Sequence, residues 1–261
     1  MQILTSIHGR KLGLGPNGEL IVPSGVVMLG EDGSQLAVGT SGTMVRQFDD
    51  FIGPTLSTQW AVTAGSDSPA GGAINAANGG TLRLTTGDSN ASLAADGIQV
   101  EGGLNWKAAN GSLVFETRLL ISAVTAVQLY AGFTDQTAAL EMPVTLTTAT
   151  FSTVATDAVG FLFDTNATTK TIRLVGVAND VDATMQDSGN AWAAATYIKL
   201  RVEVSTTGVA TFYINGTPVG TSMSGAVTPT IALTPVIAAR SLAANSKTVD
   251  IDYIDVMSTR V

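Results

Sequence analysis

The sequence predicts an all-β protein, a large β-sandwich carrying a short N-terminal arm, and three observations predict it. Ala, Val, Thr, Ser and Gly dominate, with 28 Gly among 261 residues, while long helix-formers are scarce. β-branched side chains pack well on a pleated surface, and Gly, Asn and Asp supply tight turns. Several stretches alternate apolar with polar residues, the period of a half-buried strand. Turn signals punctuate these stretches, and no segment shows helical periodicity for more than a turn or two. The length suits one large all-β domain with a real core.

Residues 1–45 read as the arm. They hold two similar units, Gly15–Val22 and Gly30–Val38, in which Asn17-Gly18 and Asp32-Gly33 favour tight turns that feed short strands. So short a segment buries little area by itself and needs a partner surface. Gly39-Thr40-Ser41-Gly42-Thr43 follows as a flexible joint.

Residues 46–261 read as the sandwich. In 197–205, Ile198, Leu200, Val202 and Val204 alternate with Lys199, Arg201, Glu203 and Ser205. That is an antiparallel strand with one wet face. Residues 113–121 alternate in the same way, with Leu113, Phe115, Leu119 and Ile121 opposite Glu116 and Arg118. Residues 209–214 run into Asn215-Gly216 and return through 217–221, a strong hairpin signal. Further strands are expected near 81–85, 128–134, 159–164, 171–177, 231–239 and 247–257. Strands this dense indicate a sandwich or barrel.

Charge and composition exclude several classes. A net charge of −8 with 13% charged residues argues against a nucleic-acid partner, which needs clustered Lys and Arg. The absence of Cys rules out a disulfide framework and any thiolate site. No apolar run has the length of a membrane span or of a signal-peptide core, so neither a membrane nor an export signal is expected.

Four stretches taken in order resemble the concanavalin-like (laminin-G-like) jelly roll. They are Phe48-Asp49-Asp50-Phe51 with Trp60; Gly80-Thr81-Leu82-Arg83-Leu84-Thr85; 197–202 with the hairpin 212–220; and the closing Val249-Asp250-Ile251-Asp252-Tyr253-Ile254-Asp255-Val256. Fused to an arm reading His8-Gly9-Arg10-Lys11-Leu12-Gly13-Leu14, this layout resembles tailed-bacteriophage virion proteins, among them head decoration or cement proteins. The resemblance implies a structural protein on the exterior of the virion head, made in the bacterial host cytoplasm. Its partners would be the major capsid protein and copies of itself in a homotrimer. Ile7, Arg10, Leu12 and Leu14 would make the capsid contact. The alternative is a carbohydrate-binding module of a fibre or surface protein, with Trp106 and Trp192 as stacking platforms for a glycan.

Chemistry is sparse by sequence. Glycoside hydrolases on such a fold set two glutamates close together on one strand. Here the six glutamates (Glu19, Glu31, Glu101, Glu116, Glu141, Glu203) are scattered, so no enzyme is expected. Asp250 and Asp252 fall on one face of a strand and Asp255 on the other by simple alternation. His8 is the lone histidine and has no triad or zinc spacing. Asn179-Asp180-Val181-Asp182 and Asp187 are oxygen-rich but lack the EF-hand pattern and read as a solvated loop, so no metal and no cofactor is assigned. Of the candidate aromatic platforms Trp60, Trp106, Trp192 and Tyr213, Trp60 reads as core, and although Trp106 and Trp192 sit in Gly-, Asn- and Ala-rich loops, packing outweighs a platform role for each, because Trp is highly buried on average.

Overall fold

The computed structural model describes 13–14, 20–21, 27–29, 35–37 and 44–259, apart from 68, 76–78, 90–91, 137–139, 141 and 148–149. The chain divides into two compact units, one of Met1–Val45 with Thr259–Val261 and one of Arg46–Ser258. In the first, Gly13–Leu14 pairs antiparallel with Leu20–Ile21, and Val27–Leu29 pairs with Gln35–Ala37. The turn sequences Asn17-Gly18 and Asp32-Gly33 fall outside the described residues. Ile7, Arg10 and Leu12 fall outside the described residues, and of Leu14 only its place in a strand is described.

The second unit is a sandwich of two antiparallel sheets. The first sheet runs, edge to edge, Thr217–Met223, Ala210–Ile214, Ile198–Val204, Leu113–Ile121, Thr248–Thr259, Thr81–Thr85 and Ala70–Asn75, with Met44–Asp49 also pairing to Thr248–Thr259. The second runs Val181–Asp182, Thr171–Ala178, Ala158–Asp164, Val127–Thr134, Thr234–Ser241, Gly97–Glu101 and Ala61–Ala64, with Gln186–Ala191 pairing to Thr171–Ala178. Helix is confined, among the described residues, to one turn at Leu93–Asp96 and a short 3₁₀ piece at Ala108–Asn110.

The core is the space between the sheets. Leu113, Phe115, Leu200, Val202, Phe212 and Ile251 of the first sheet are wholly buried, as are Leu129, Phe133, Leu174 and Ile237 of the second. Two edge-to-face ring pairs cross the interior: Phe115 with Phe133 at 5.8 Å and Phe161 with Phe212 at 5.5 Å. That geometry sets the positive ring edge against the negative face of its neighbour. Truncating any of these rings to Ala falls in the range of about 3–5 kcal/mol for a buried Phe.

The outer faces of the two sheets differ. Strands Leu113–Ile121, Ile198–Val204 and Ala210–Ile214 alternate buried and half-buried residues, so the first sheet has one wet face. In the second sheet, Val127–Thr134 and Ala158–Asp164 are buried at every position. The hairpin of Val144–Thr147 and Thr150–Thr153 packs over that face, its Val144 and Leu146 clustering with Met142, Tyr130, Leu162, Val175 and Ala238. Asp164 anchors it, accepting hydrogen bonds from the Leu146 N–H at 3.2 Å and from Gln128 Nε2 at 2.6 Å. The open sheet face of the sandwich is therefore the first sheet's.

Candidate functional site

The open face is built by cross-strand register. Tyr213 lies opposite Arg201, Arg201 opposite Glu116, and Glu116 opposite Asp255, which sets four polar side chains in one row across four strands. Strands stand about 4.8 Å apart, so the row spans roughly 14 Å. A parallel row joins Lys199, Arg118 and Tyr253, and a third pairs Asp250 with Arg83.

Strand Thr248–Thr259 shifts register between its partners Arg118 and Leu119, so Asp252 is an extra residue. Such a β-bulge re-aims every side chain beyond it. Val249, Ile251, Ile254 and Val256 are therefore all buried in the core, and register sets Asp250 opposite Arg83 and Asp255 opposite Glu116 on the other face of the sheet, where both carboxylates are nearly covered. This corrects the expectation that Asp255 faces away from Asp250. The signal was present in the sequence: the apolar positions step by two, then three, then two.

Each carboxylate of the face meets an arginine. Asp255 takes both arms of Arg46, each at 2.8 Å, and Asp250 takes both arms of Arg83 at 2.6 and 2.7 Å. Such bidentate pairs hold both groups planar and oriented. Asp252 accepts from Arg118 at 2.7 Å, and the Arg118 guanidinium lies 4.1 Å from the centre of the Tyr197 ring. Arg201 bridges two glutamates, reaching Glu203 at 2.6 Å and Glu116 at 3.4 Å, while the Tyr253 hydroxyl donates to Glu116 at 2.7 Å. The Asp255 and Asp250 hydrogen bonds push the Arg46 and Arg83 guanidiniums further up. Burial opposes the charge of Arg201, but Glu203 and Glu116 outweigh it. Burial and the Glu116 carboxylate push the Tyr253 hydroxyl well above its ordinary value, which keeps it a donor.

Two of the glutamates scattered in sequence, Glu116 and Glu203, are thus neighbours in space, while Glu101 lies in the other sheet and Glu19, Glu31 and Glu141 fall outside the described residues. Glu203 sits opposite Val114 and Glu116 opposite Arg201, which makes Glu116 and Glu203 diagonal neighbours across adjacent strands. Beside Glu203 the face dips into a depression of about 210 Å³ lined by Val114, Thr211, Ser112 and Ser205. That volume falls short of the roughly 300–1,000 Å³ that encloses a drug-sized ligand, so the site is an open platform.

Trp106 and Trp192 are each only 5% exposed, so neither presents a ring face outward. Trp192 packs edge-on against Phe163 at 5.6 Å, and Trp106 is tied through its backbone to Leu233. Trp192 directly follows the strand Gln186–Ala191, so its Ala-rich flank is not a free loop. The half-exposed aromatic residues of the open face are Tyr197, Tyr213 and Tyr253, with Phe48 beside Tyr253. Asn179 and Asp180, both at positive φ, form the turn into strand Val181–Asp182. Asp187 lies in strand Gln186–Ala191 and pairs with Arg173 at 2.6 Å, so the segment is a sheet edge and not a loop. No group of three acidic or histidine side chains able to hold a metal occurs among the described residues.

No protein-family model matches the sequence, and no curated protein matches it either. Solved structures do. The carbohydrate recognition domain of Emp47p superposes with a TM-score of 0.57 at 12% identity, covering 85% of this chain and all of that one. A β-glucanase of Bacillus licheniformis superposes at 0.54 with 13% identity, over 80% of this chain and 96% of that one. A lichenase from a mouse hindgut metagenome gives 0.54 and 12%, over 83% and 99%.

The fold is the concanavalin-like jelly roll. None of these three neighbours is described as a virion protein. Two are glucanases, and this corrects the expectation that the chain is not an enzyme: the architecture carries glycoside hydrolysis elsewhere, and the wide sequence separation of the glutamates is no bar once register brings Glu116 to Glu203.

Proposed function

We propose that the sandwich binds carbohydrate on the open face of its first sheet. The observation that carries this reading is the row Tyr213–Arg201–Glu116–Asp255, a platform of preoriented polar groups ending in a half-exposed ring. Sugars offer hydroxyls that donate and accept, together with an apolar ring face. Ion-paired Arg and carboxylate side chains meet the hydroxyls without reorganising, and a Tyr ring meets the apolar face. A carbohydrate recognition domain of the same fold supports the reading. An open platform with no enclosing pocket fits a polymer better than a free monosaccharide.

Titration of the protein with soluble polysaccharides by calorimetry tests this. Tyr213→Ala should weaken binding about tenfold, or ~1.4 kcal/mol. Equal affinity in the variant would remove the platform from this face.

A second reading, cleavage of the bound glycan, is favoured by the convergence of Glu116 and Glu203. Diagonal neighbours stand about 7–8 Å apart at the backbone, within reach of the separations that glycosidases use. Arg201 bridges the two carboxylates, in the space that a scissile bond would need between them. Binding is thus the better supported activity. Release of reducing ends from a bound β-glucan, lost in Glu116→Gln, would establish cleavage.

A further inference from the structure

We infer that the glycan class taken by this face is uncharged, and that sulfated or uronic-acid polymers are refused. The inference rests on the carbohydrate reading above and deepens it. An anionic sugar is held by cations with free donors, above all by arginine, whose planar fork matches a sulfate or carboxylate. On this face the arginines already face carboxylates of the chain itself: Arg46 with Asp255, Arg83 with Asp250, Arg118 with Asp252, and Arg201 with both Glu116 and Glu203. Counting Lys199, the face carries five basic and five acidic side chains, so it has no surplus positive charge. The whole chain adds repulsion, with a formal charge of −8. For a polyanion to bind, its charged groups would have to displace the protein's own carboxylates from geometry that is already bidentate at Arg46 and Arg83.

Neutral hydroxyls face no such competition. They share the remaining lone pairs and N–H groups of a satisfied pair without breaking it. The pair best placed for that sharing is Arg118–Asp252, joined by a single 2.7 Å contact, with the two side chains 43% and 31% exposed.

Affinity electrophoresis of the full chain tests the inference, with gels containing dextran, mixed-linkage β-glucan or mannan set against dextran sulfate and polygalacturonate. At least one neutral polymer should retard the protein and neither charged polymer should. The retardation should persist at 0.5 M salt (about 4–5 Å of screening length), because no net charge drives it. Asp252→Asn frees Arg118 and should create retention by dextran sulfate at low salt, at least about tenfold above the parent protein. If Asp252→Asn does not melt cooperatively, Asp252→Ser takes its place. Retention by a charged polymer alone would overturn this inference and leave the carbohydrate reading standing. Failure of the freed Arg118 to gain dextran sulfate binding would also overturn it, since charge pairing would then not be what excludes anions. Retention by no polymer of either kind would overturn the carbohydrate reading itself.

Discussion

At Trp192 a large apolar ring and a polar N–H are buried together in one side chain. Its neighbours Asn190, Ala191 and Ala193 look like a surface loop, yet the indole is buried on Phe163 and its N–H lies among buried groups with no hydrogen-bond partner. Burying an unpaired donor costs roughly 1–3 kcal/mol, which offsets part of what the ring contributes by its area. Trp192→Phe, which deletes that donor and keeps most of the ring, should therefore change the unfolding free energy little, by about 1 kcal/mol or less. Trp192→Ala should cost about 3–5 kcal/mol. Denaturant unfolding of both variants checks the order, and equal losses would mean that the N–H is satisfied. Tyr213 is the converse. Its alternation with the core residues Phe212 and Ile214 sets it on the opposite face of the strand, where it is half-exposed.

Among the elements, the strands with one wet face were the most legible. The segment 81–85 coincides with its strand, and 113–121 does so residue for residue, because one apolar and one polar face impose period two. The Asn215-Gly216 hairpin was legible for a different reason: both residues take positive φ, 51° and 80°, as a type I′ turn demands. Gly216→Ala meets no atom within 4 Å, so its cost is backbone strain alone, about 1–2 kcal/mol. Gly132→Ala should cost clearly more, since its Cβ would strike the Val159 carbonyl and the Gly160 Cα on the next strand. Thermal melts of the two variants test that order. Val144–Thr147 with Thr150–Thr153 escaped the sequence reading because its turn holds none of the Asn-Gly or Asp-Gly chemistry that announces a hairpin. Gln186–Ala191 escaped because its residues, Gln-Asp-Ser-Gly-Asn-Ala, have turn propensity and are held extended by pairing with Thr171–Ala178. The row that forms the candidate site was only half legible, since its members come from four strands and their meeting depends on register and on the bulge at Asp252.

At the scale of the whole molecule, architecture was readable from composition and spacing, whereas activity was not, because sites are grafted on folds and this fold hosts both recognition and hydrolysis. Charge acts at this scale too, and it gives a pH dependence with a definite sign. Burial pushes the Asp49, Glu101 and Asp135 carboxyls up, whereas at Asp187 burial is outweighed by the Thr171 and Gly189 hydrogen bonds and by Arg173, so that its carboxyl is held down. A carboxyl raised by folding binds its proton more tightly in the native state. Its contribution is present at low pH and is lost as pH climbs from the unfolded value, about 4, through the raised folded value. Asp187 acts oppositely, stabilising above about pH 4 and failing as pH falls through its lowered value. With one histidine and no cysteine, little else titrates between pH 5 and 7.5. Approaching pH 5 also reduces the self-repulsion of a chain at −8. The melting temperature should therefore rise as pH is lowered from 7.5 towards the unfolded carboxyl value of about 4, before falling in stronger acid where Asp187 takes up its proton. Glu101→Gln keeps an acceptor for Gln99 and carries no charge, so it should raise the melting temperature at pH 7.5 and flatten the rise towards pH 5. A melting temperature that declines steadily over that range would show that protonating Asp49, Glu101 and Asp135 does not stabilise the fold.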